Sequence, residues 1–401
     1  MQWSDLFATR NARMKASEIR ELLKLLDQPD IISFAGGIPD PELFPAEAYA
    51  GAMAAAMTPE RARVALQYSV SEGYLPLREW IAGRMADLGI ACDAGNIVIT
   101  SGSQQALDYL GKMMLSPGDT AMVDWPTYLG ALGAFNAYEP RYIRLDPFSN
   151  ESPEALAADA DAAGGQVKFA YLSPDFANPT GETLSRAGRE ALLDRAEAMD
   201  IAIIEDAAYQ SLRYDGEAIP PILALDIARN GGIENTRTIY CGSFSKSLAP
   251  GLRVGWVCAA KEVIGRLVLM KQAADLHSAT LNQIVTDGVA RSVFDEHVAL
   301  IRSVYSARRD RMIAALEREM PKGVQFTRPE GGMFIWVTLD PAIDAAALLA
   351  RAISEARVAF VPGGAFYADG SGRNTLRLSF SCASDGQIDE GIRRIAALLK
   401  G

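Results

Sequence analysis

Apolar positions along the middle of the chain follow two alternating patterns. Short, mostly apolar runs lie at residues 97–100, 120–123, 142–145, 169–173, 201–205, 238–240 and 254–259. Longer segments at 46–57, 77–88, 104–115 and 186–199 repeat their apolar residues at helical spacing. A mostly apolar run suits a strand covered on both faces, and amphipathic helices are what covers it. The alternation predicts an α/β fold in three layers, with a mostly parallel sheet between two layers of helices.

The two ends depart from that pattern. Ser17 is placed to N-cap a helix with the stripe Ile19, Leu22, Leu23 and Leu26, and Pro29 ends it. Residues 31–34 run extended into the turn-rich Gly36-Gly37-Ile38-Pro39. Residues 294–320 read as one Arg- and Glu-rich helix that links domains. Strands at 334–338 and 375–379, with helices at 345–356 and 388–399, make a smaller α+β unit. The expected organisation is an arm with part of the small domain over 1–44, a large domain over 45–293, and the linking helix with the small domain over 294–401.

Composition narrows the class. The 401 residues are 49% apolar, which is material for two or three packed domains. No run reaches the ~18 apolar residues of a membrane helix. The N-terminal MQWSDLFATRNARMK lacks the apolar stretch of a secretory signal. A net charge of −11 argues against nucleic acid as a partner. Cys92, Cys241, Cys258 and Cys382 are scattered with no CxxC pair, as expected of free thiols in a reducing cytoplasm. His277 and His297 lack ligand spacing, so no metal site is expected.

Candidate chemistry collects at strand ends. The stretch 240–256, YCGSFSKSLAPGLRVGW, sets Lys246 beside Ser243 and Ser245, with Arg253 following. Such a lysine can form an imine with an aldehyde, and its neighbours can hold a phosphate. Lys246 is therefore read as the carrier of pyridoxal phosphate. Ser101, Gly102, Ser103 and Gln104 open a helix after the run at 97–100, which makes either an anion site or an ordinary N-cap by Ser103. Tyr128 either stacks on a planar ligand or belongs to the core. In PDFANPTG, prolines and a glycine mount Asn178 rigidly for a hydrogen bond to a ligand. Asp206 closes an apolar strand, either as a helix N-cap or as the partner of a protonated pyridine nitrogen. Tyr209 is placed to donate to the ring's phenolate oxygen. Ser243-x-x-Lys246 also fits the S-x-x-K of serine β-lactamases, but the SDN and KTG elements of that class do not occur.

In order, SGSQQ, DWPTY, NPTG, EDAAY, SFSKSLAPGLRVGW and LRLSF resemble the fold-type I, class I/II pyridoxal-phosphate aminotransferases, over residues 17–400. KASEIRELL, SFAGGIPDPELFP, and Gln67-Tyr68-Ser69 followed by Glu72-Gly73-Tyr74 bring the resemblance nearest to the 2-aminoadipate/kynurenine aminotransferase II branch. The resemblance implies that Lys246 binds the cofactor covalently and moves the proton at the substrate Cα. It implies that Asp206 pairs with the pyridine nitrogen, that Tyr209 and Asn178 hold the phenolate oxygen, and that Tyr128 stacks on the ring. Ser101, Gly102, Ser103, Gln104, Ser243, Ser245 and Arg253 would cradle the phosphate. Tyr68 would reach the phosphate of a neighbouring subunit, which implies a homodimer with shared active sites. Arg377 would clamp the substrate α-carboxylate, with Asn178 and the Gly37 amide in the same pocket.

The implied reaction is transamination of an L-amino acid to its 2-oxo acid. 2-Oxoglutarate is the expected acceptor, and the expected donors are of the 2-aminoadipate, aromatic or branched type. Arg20 either recognises a distal acidic group or is a solvated helix residue. Asp175 stands where the family leads one to expect a neutral residue; facing the pocket, it would weaken a purely dicarboxylate preference. Two other functions stay open. One is a lyase or decarboxylase using the same cofactor. The other is a non-enzymatic sensor fused to a DNA reader, for which this acidic chain leaves no room before the arm.

Overall fold

The computed structural model describes residues 2–14, 30–149 and 151–400. The helix expected at 17–26, which carries Arg20, lies outside the described residues. Seven strands form the large sheet: β1 (Ile97–Thr100), β2 (Thr120–Val123), β3 (Arg141–Arg144), β4 (Val167–Leu172), β5 (Ala202–Asp206), β6 (Thr238–Ser243) and β7 (Gly255–Cys258). Their order across the sheet is β1-β7-β6-β5-β4-β2-β3. All pairs are parallel except those of β7, which runs against both β1 and β6.

The burial of each strand follows its sequence. Every residue of IVIT, TAMV and TIYCGS is buried, as strands covered on both faces require. On β4, Phe169 and Tyr171 pack with Leu107, Leu110 and Phe135 on one face of the sheet. Ala170 and Leu172 pack with Leu192 and Leu193 on the other. The edge strand β3, RYIR, is only half-buried, and its two arginines discourage further pairing. Helices Pro59–Ala65, Pro153–Ala162, Ile222–Asn230 and Lys261–Ala274 go beyond the sequence expectation. Alanine-rich segments such as PEALAADADA show little contrast between faces, so periodicity does not single them out.

A second, antiparallel sheet is made of β8 (Gln325–Phe326), β9 (Phe334–Thr338), β10 (Val361–Pro362) and β11 (Thr375–Ser379), in the order β10-β11-β9-β8. Helices Ala345–Ala356 and Asp385–Lys400 cover it through Leu348, Leu349, Ile388, Ile392 and Ile395. Ile32–Ser33 pairs in parallel with Val358–Ala359, and Phe34 and Ala35 are buried in the same core. The segment leading to Gly37 is thereby fixed to the small sheet.

Helix Thr280–Glu319, 40 residues long, joins the two units. At 1.5 Å per residue it spans about 60 Å. Val289 and Ala290 pack in the large unit; Ile301, Tyr305, Met312 and Leu316 pack in the small one. The helix begins at Thr280 rather than at 294, so the boundary expected at 293/294 falls inside unbroken helix. The buried polar residues Gln283, Thr286 and Asp287 interrupt its apolar stripe and hide its first turns from a periodicity reading. Among the described residues no helix is long and apolar enough to cross a membrane.

One close contact sets a measurable limit. Gly242 on β6 faces Trp256, its register partner on β7. A Cβ at Gly242 would lie 2.2 Å from the indole, whose centroid is 4.9 Å from that of Phe244. Gly242→Ala should cost about 1–3 kcal/mol through overpacking. The expected result is a lower urea midpoint at unchanged m-value.

Candidate active site

In a parallel sheet, ligands bind beyond the carboxyl ends of the strands. Here Tyr128 follows β2, Asn178 follows β4, Asp206 ends β5 and Lys246 follows β6. All four line one cavity of about 300 Å³. Gly37, Ile38 and Arg377 complete its wall, so both units contribute.

Lys246 sits in a turn pinned by the buried side chains of Phe244 and Leu248. Its Nζ donates to the Gly37 carbonyl at 2.8 Å. Burial pushes its pKa down to about 8, and the positive charges of Arg377 and Arg253 push the same way. A lysine poised there is part neutral near pH 7, as a nucleophile or a general base must be.

Asp206 is 4% exposed. Its Oδ2 accepts from the Tyr171 hydroxyl at 2.8 Å, while its Oδ1 has no hydrogen-bond partner among the described residues. Burial raises its pKa to about 6; Tyr171 and the Ala208 amide pull it back. An unsatisfied buried carboxylate oxygen is costly. A ring N–H would satisfy it.

Arg377 reaches the cavity from the middle of β11 and is 2% exposed. Nη1 donates to Asn178 Oδ1 at 2.8 Å and Nη2 to the Ala35 carbonyl at 2.9 Å. The guanidinium lies over the rings of Phe334 and Phe366, at 4.2 and 5.1 Å. Burial lowers its pKa to about 10, so it stays cationic at neutral pH. Among the described residues it has no carboxylate partner, and its Nε is unpaired. Asn178 Nδ2 continues the chain to the Tyr209 hydroxyl at 3.4 Å. Burial holds the Tyr209 phenol well above its usual range, so it remains a donor.

The other end of the cavity gathers hydroxyls and a second arginine. Ser103 is the first residue of helix Ser103–Met114 and makes no capping bond; Gly102, at φ 79°, occupies the cap. Ser245 N donates to Ser243 Oγ at 3.1 Å, and Arg253 Nη1 lies 3.5 Å from Ser245 Oγ. A Cβ on Gly102 would come within 2.3 Å of the Arg253 guanidinium, so glycine admits the arginine there. Gln104 lines the cavity and donates to the Gly130 carbonyl at 2.7 Å. A helix N-terminus with hydroxyls and an arginine is an anion site.

Not every expected residue stands on the wall. Ser101 is engaged elsewhere: its amide donates to Gln105 Oε1 at 2.8 Å, and its Oγ lies 3.3 Å from Ser278 Oγ. Ser278 in turn accepts from the buried Lys271 at 2.8 Å. Gly102 shapes the turn without lining the cavity. Tyr68 is 80% exposed and stands edge-on to His277, outside this chain's cavity. Arg20 lies outside the described residues. The concern about Asp175 is corrected. It is buried against Arg189 at 2.7 Å, with Arg213 at 3.5 Å, and does not line the cavity, so its charge is neutralised away from any substrate. Periodicity passed over Tyr171, Phe334 and Phe366. The one signal for Tyr171 is a hydroxyl within the buried stretch Phe169–Leu172.

The lysine's environment can be tested directly. In cofactor-free protein, acylation of Lys246 followed by peptide mapping should titrate near pH 8, against ~10.4 for an ordinary lysine. Arg377→Met, which removes a neighbouring charge, should move that midpoint upward.

Pyridoxal phosphate fits this donor set: the orphaned Asp206 oxygen, the anion cradle at Ser103 and Arg253, and an activated lysine lowered in pKa by burial and by the charges of the buried Arg377 and the exposed Arg253. Residues 30–395 match the profile of the family aminotransferase class I and II. The 2-aminoadipate transaminase of Thermus thermophilus is 44% identical over 405 residues, spanning 100% of this chain and 98% of that protein. Aromatic-amino-acid aminotransferase 1 of Thermococcus litoralis is 42% identical over 410 residues, spanning 100% and 95%. The crystal structure of α-aminoadipate aminotransferase from Thermus thermophilus, complexed with N-(5'-phosphopyridoxyl)-L-leucine, has a TM-score of 0.88 at 41% identity, covering 100% of this chain and 99% of that one. The chain belongs to the class I and II aminotransferases and is a pyridoxal-phosphate-dependent enzyme of that family.

Proposed function

We propose that this aminotransferase takes the amino group from a fairly broad set of L-amino acids, with 2-oxoglutarate as acceptor. Arg377 carries the reading. A buried cation with no carboxylate partner among the described residues, placed across a cavity from a nucleophilic lysine, suits the α-carboxylate of an amino acid. Bound pyridoxal phosphate supplies an electron-accepting ring that stabilises charge at the donor's Cα. Lys246 would hold that cofactor, and its neutral amine is placed to carry the proton leaving Cα. Arg377 and Asn178 fix the donor so that its Cα–H bond is the one aligned for cleavage. Tyr209 would donate to the phenolate oxygen, Tyr128 would stack on the ring, and Ser103, Gln104, Ser243, Ser245 and Arg253 would hold the phosphate.

Ile38 and Leu129 are the apolar side chains on the cavity wall that a donor's side chain would meet. Among the described residues the cations on that wall are Lys246, Arg253 and Arg377, each already assigned. This supports apolar and aromatic donors. A 2-aminoadipate-type donor needs a further cation, for which Arg20 is the candidate, and a 44% identical relative is named a 2-aminoadipate transaminase. The exposed Met57, Val64, Leu66, Val70 and Leu75 surround Tyr68 in sequence, which supports a dimer in which Tyr68 serves the neighbouring phosphate. The four free thiols suit the cytoplasm.

A half-reaction screen of amino acids against the cofactor-loaded enzyme tests the function; no conversion with any donor would overturn it. Lys246→Ala should lower transamination by at least about 100-fold and abolish the absorbance of lysine-bound cofactor. Arg377→Lys should reduce kcat/KM about 10–100-fold, mainly through KM, because the bidentate fork is lost. Sedimentation should give a dimer, and Tyr68→Phe should weaken cofactor binding about 10-fold as one phosphate bond is lost.

A further inference from the structure

Tyr171 and Asp206 stand on adjacent parallel strands. In the β4–β5 register Tyr171 is opposite Ile204, and Asp206 lies two residues further along the same face. A long side chain leaning along its strand spans that diagonal. The Tyr171 hydroxyl donates to Asp206 Oδ2 at 2.8 Å, with the tyrosine fully buried. Its ring is held edge-on by Phe135, centroids 5.6 Å apart. Among the described residues no other side chain donates to Asp206. Its other near neighbours, Cys241 on β6 and Tyr209, are held neutral by burial and supply no countercharge. The free oxygen, Oδ1, belongs to a residue on the cavity wall.

We propose that Tyr171 is a positioning residue for Asp206: its hydroxyl holds one carboxylate oxygen so that the other is presented to the cofactor's ring nitrogen. The phenol donates because an ionised carboxylate can only accept. With Oδ2 engaged, rotation of the carboxylate is restrained, and Oδ1 keeps one direction. The same bond favours the ionised form at a site where burial favours the neutral one, so the carboxylate is ready to accept a ring N–H. This inference rests on the reading of Asp206 as the partner of that nitrogen.

Tyr171→Phe tests it, since the ring and its contact with Phe135 survive. Urea melting of the variant checks the fold. For Tyr171→Phe the dissociation constant of pyridoxal phosphate, measured by adding it back to cofactor-free protein, should rise about 10-fold. In the loaded enzyme kcat should fall by a similar factor while KM for the amino acid stays within about twofold, because Arg377 still holds the carboxylate. The absorbance band of lysine-bound cofactor should shift. In an Asp206→Asn background, Tyr171→Phe should add nothing further. Wild-type cofactor affinity and kcat in Tyr171→Phe, with both lost in Asp206→Asn, would overturn the inference and leave Asp206 in its role. Equal losses from Tyr171→Phe in both backgrounds would reduce Tyr171 to a packing residue. Unchanged cofactor binding in Asp206→Asn would remove the reading of Asp206 itself, and the inference with it.

Discussion

A guanidinium taken out of water without a counter-anion costs several kcal/mol unless its surroundings replace the lost solvation. Arg377 is in that position, and much of the molecule's layout is what makes it tolerable. Asn178 comes from the loop after β4 of the large sheet, Ala35 from the segment paired to Val358–Ala359, Phe334 from β9, and Phe366 from the turn after β10. Segments from both units therefore have to meet before Arg377 can be buried. The small sheet is held against the large one where the substrate must sit.

The same logic runs through the cavity. Buried polar atoms in folded proteins nearly always find partners. Asp206 Oδ1 and Arg377 Nε find none among the described residues, and both residues belong to one cavity wall. One is an acceptor awaiting a donor and the other a donor awaiting an acceptor. Between them Lys246 feels two like charges and a dry environment, and both lower its affinity for a proton. A ligand with a protonated ring nitrogen and an anionic substrate would complete these pairs.

Buried charge away from the site is handled in the opposite way. Asp175 is closed off by Arg189 and Arg213, and Glu205 is satisfied by the amides of Ile222 and Leu223 at the start of the next helix. Lys271 is surrounded by Asp275, Gln105 and Ser278. These groups have complete sets of partners. The contrast separates structural ionisable residues from those that wait for a ligand, and loop position in the sequence does not.

The chain's pattern alone determined the three-layer α/β architecture, because mostly apolar runs have no stable place except a sheet covered on both faces. It also determined which residue types gather at the strand ends, since Lys246, Asp206, Asn178 and Arg377 stand out against apolar or turn-forming neighbours. Local pattern could not show partners distant in sequence. Arg377 and Asn178 are joined across 199 positions, and Tyr171 and Asp206 across 35. It left open whether Asp175 faces the pocket for the same reason: the arginines that neutralise it, Arg189 and Arg213, are distant in sequence. It also started the long helix too late, because Gln283, Thr286 and Asp287 look solvent-facing in sequence and are buried by packing. Periodicity records which face of an element is apolar, and only the tertiary fold decides which polar atoms are left without a partner.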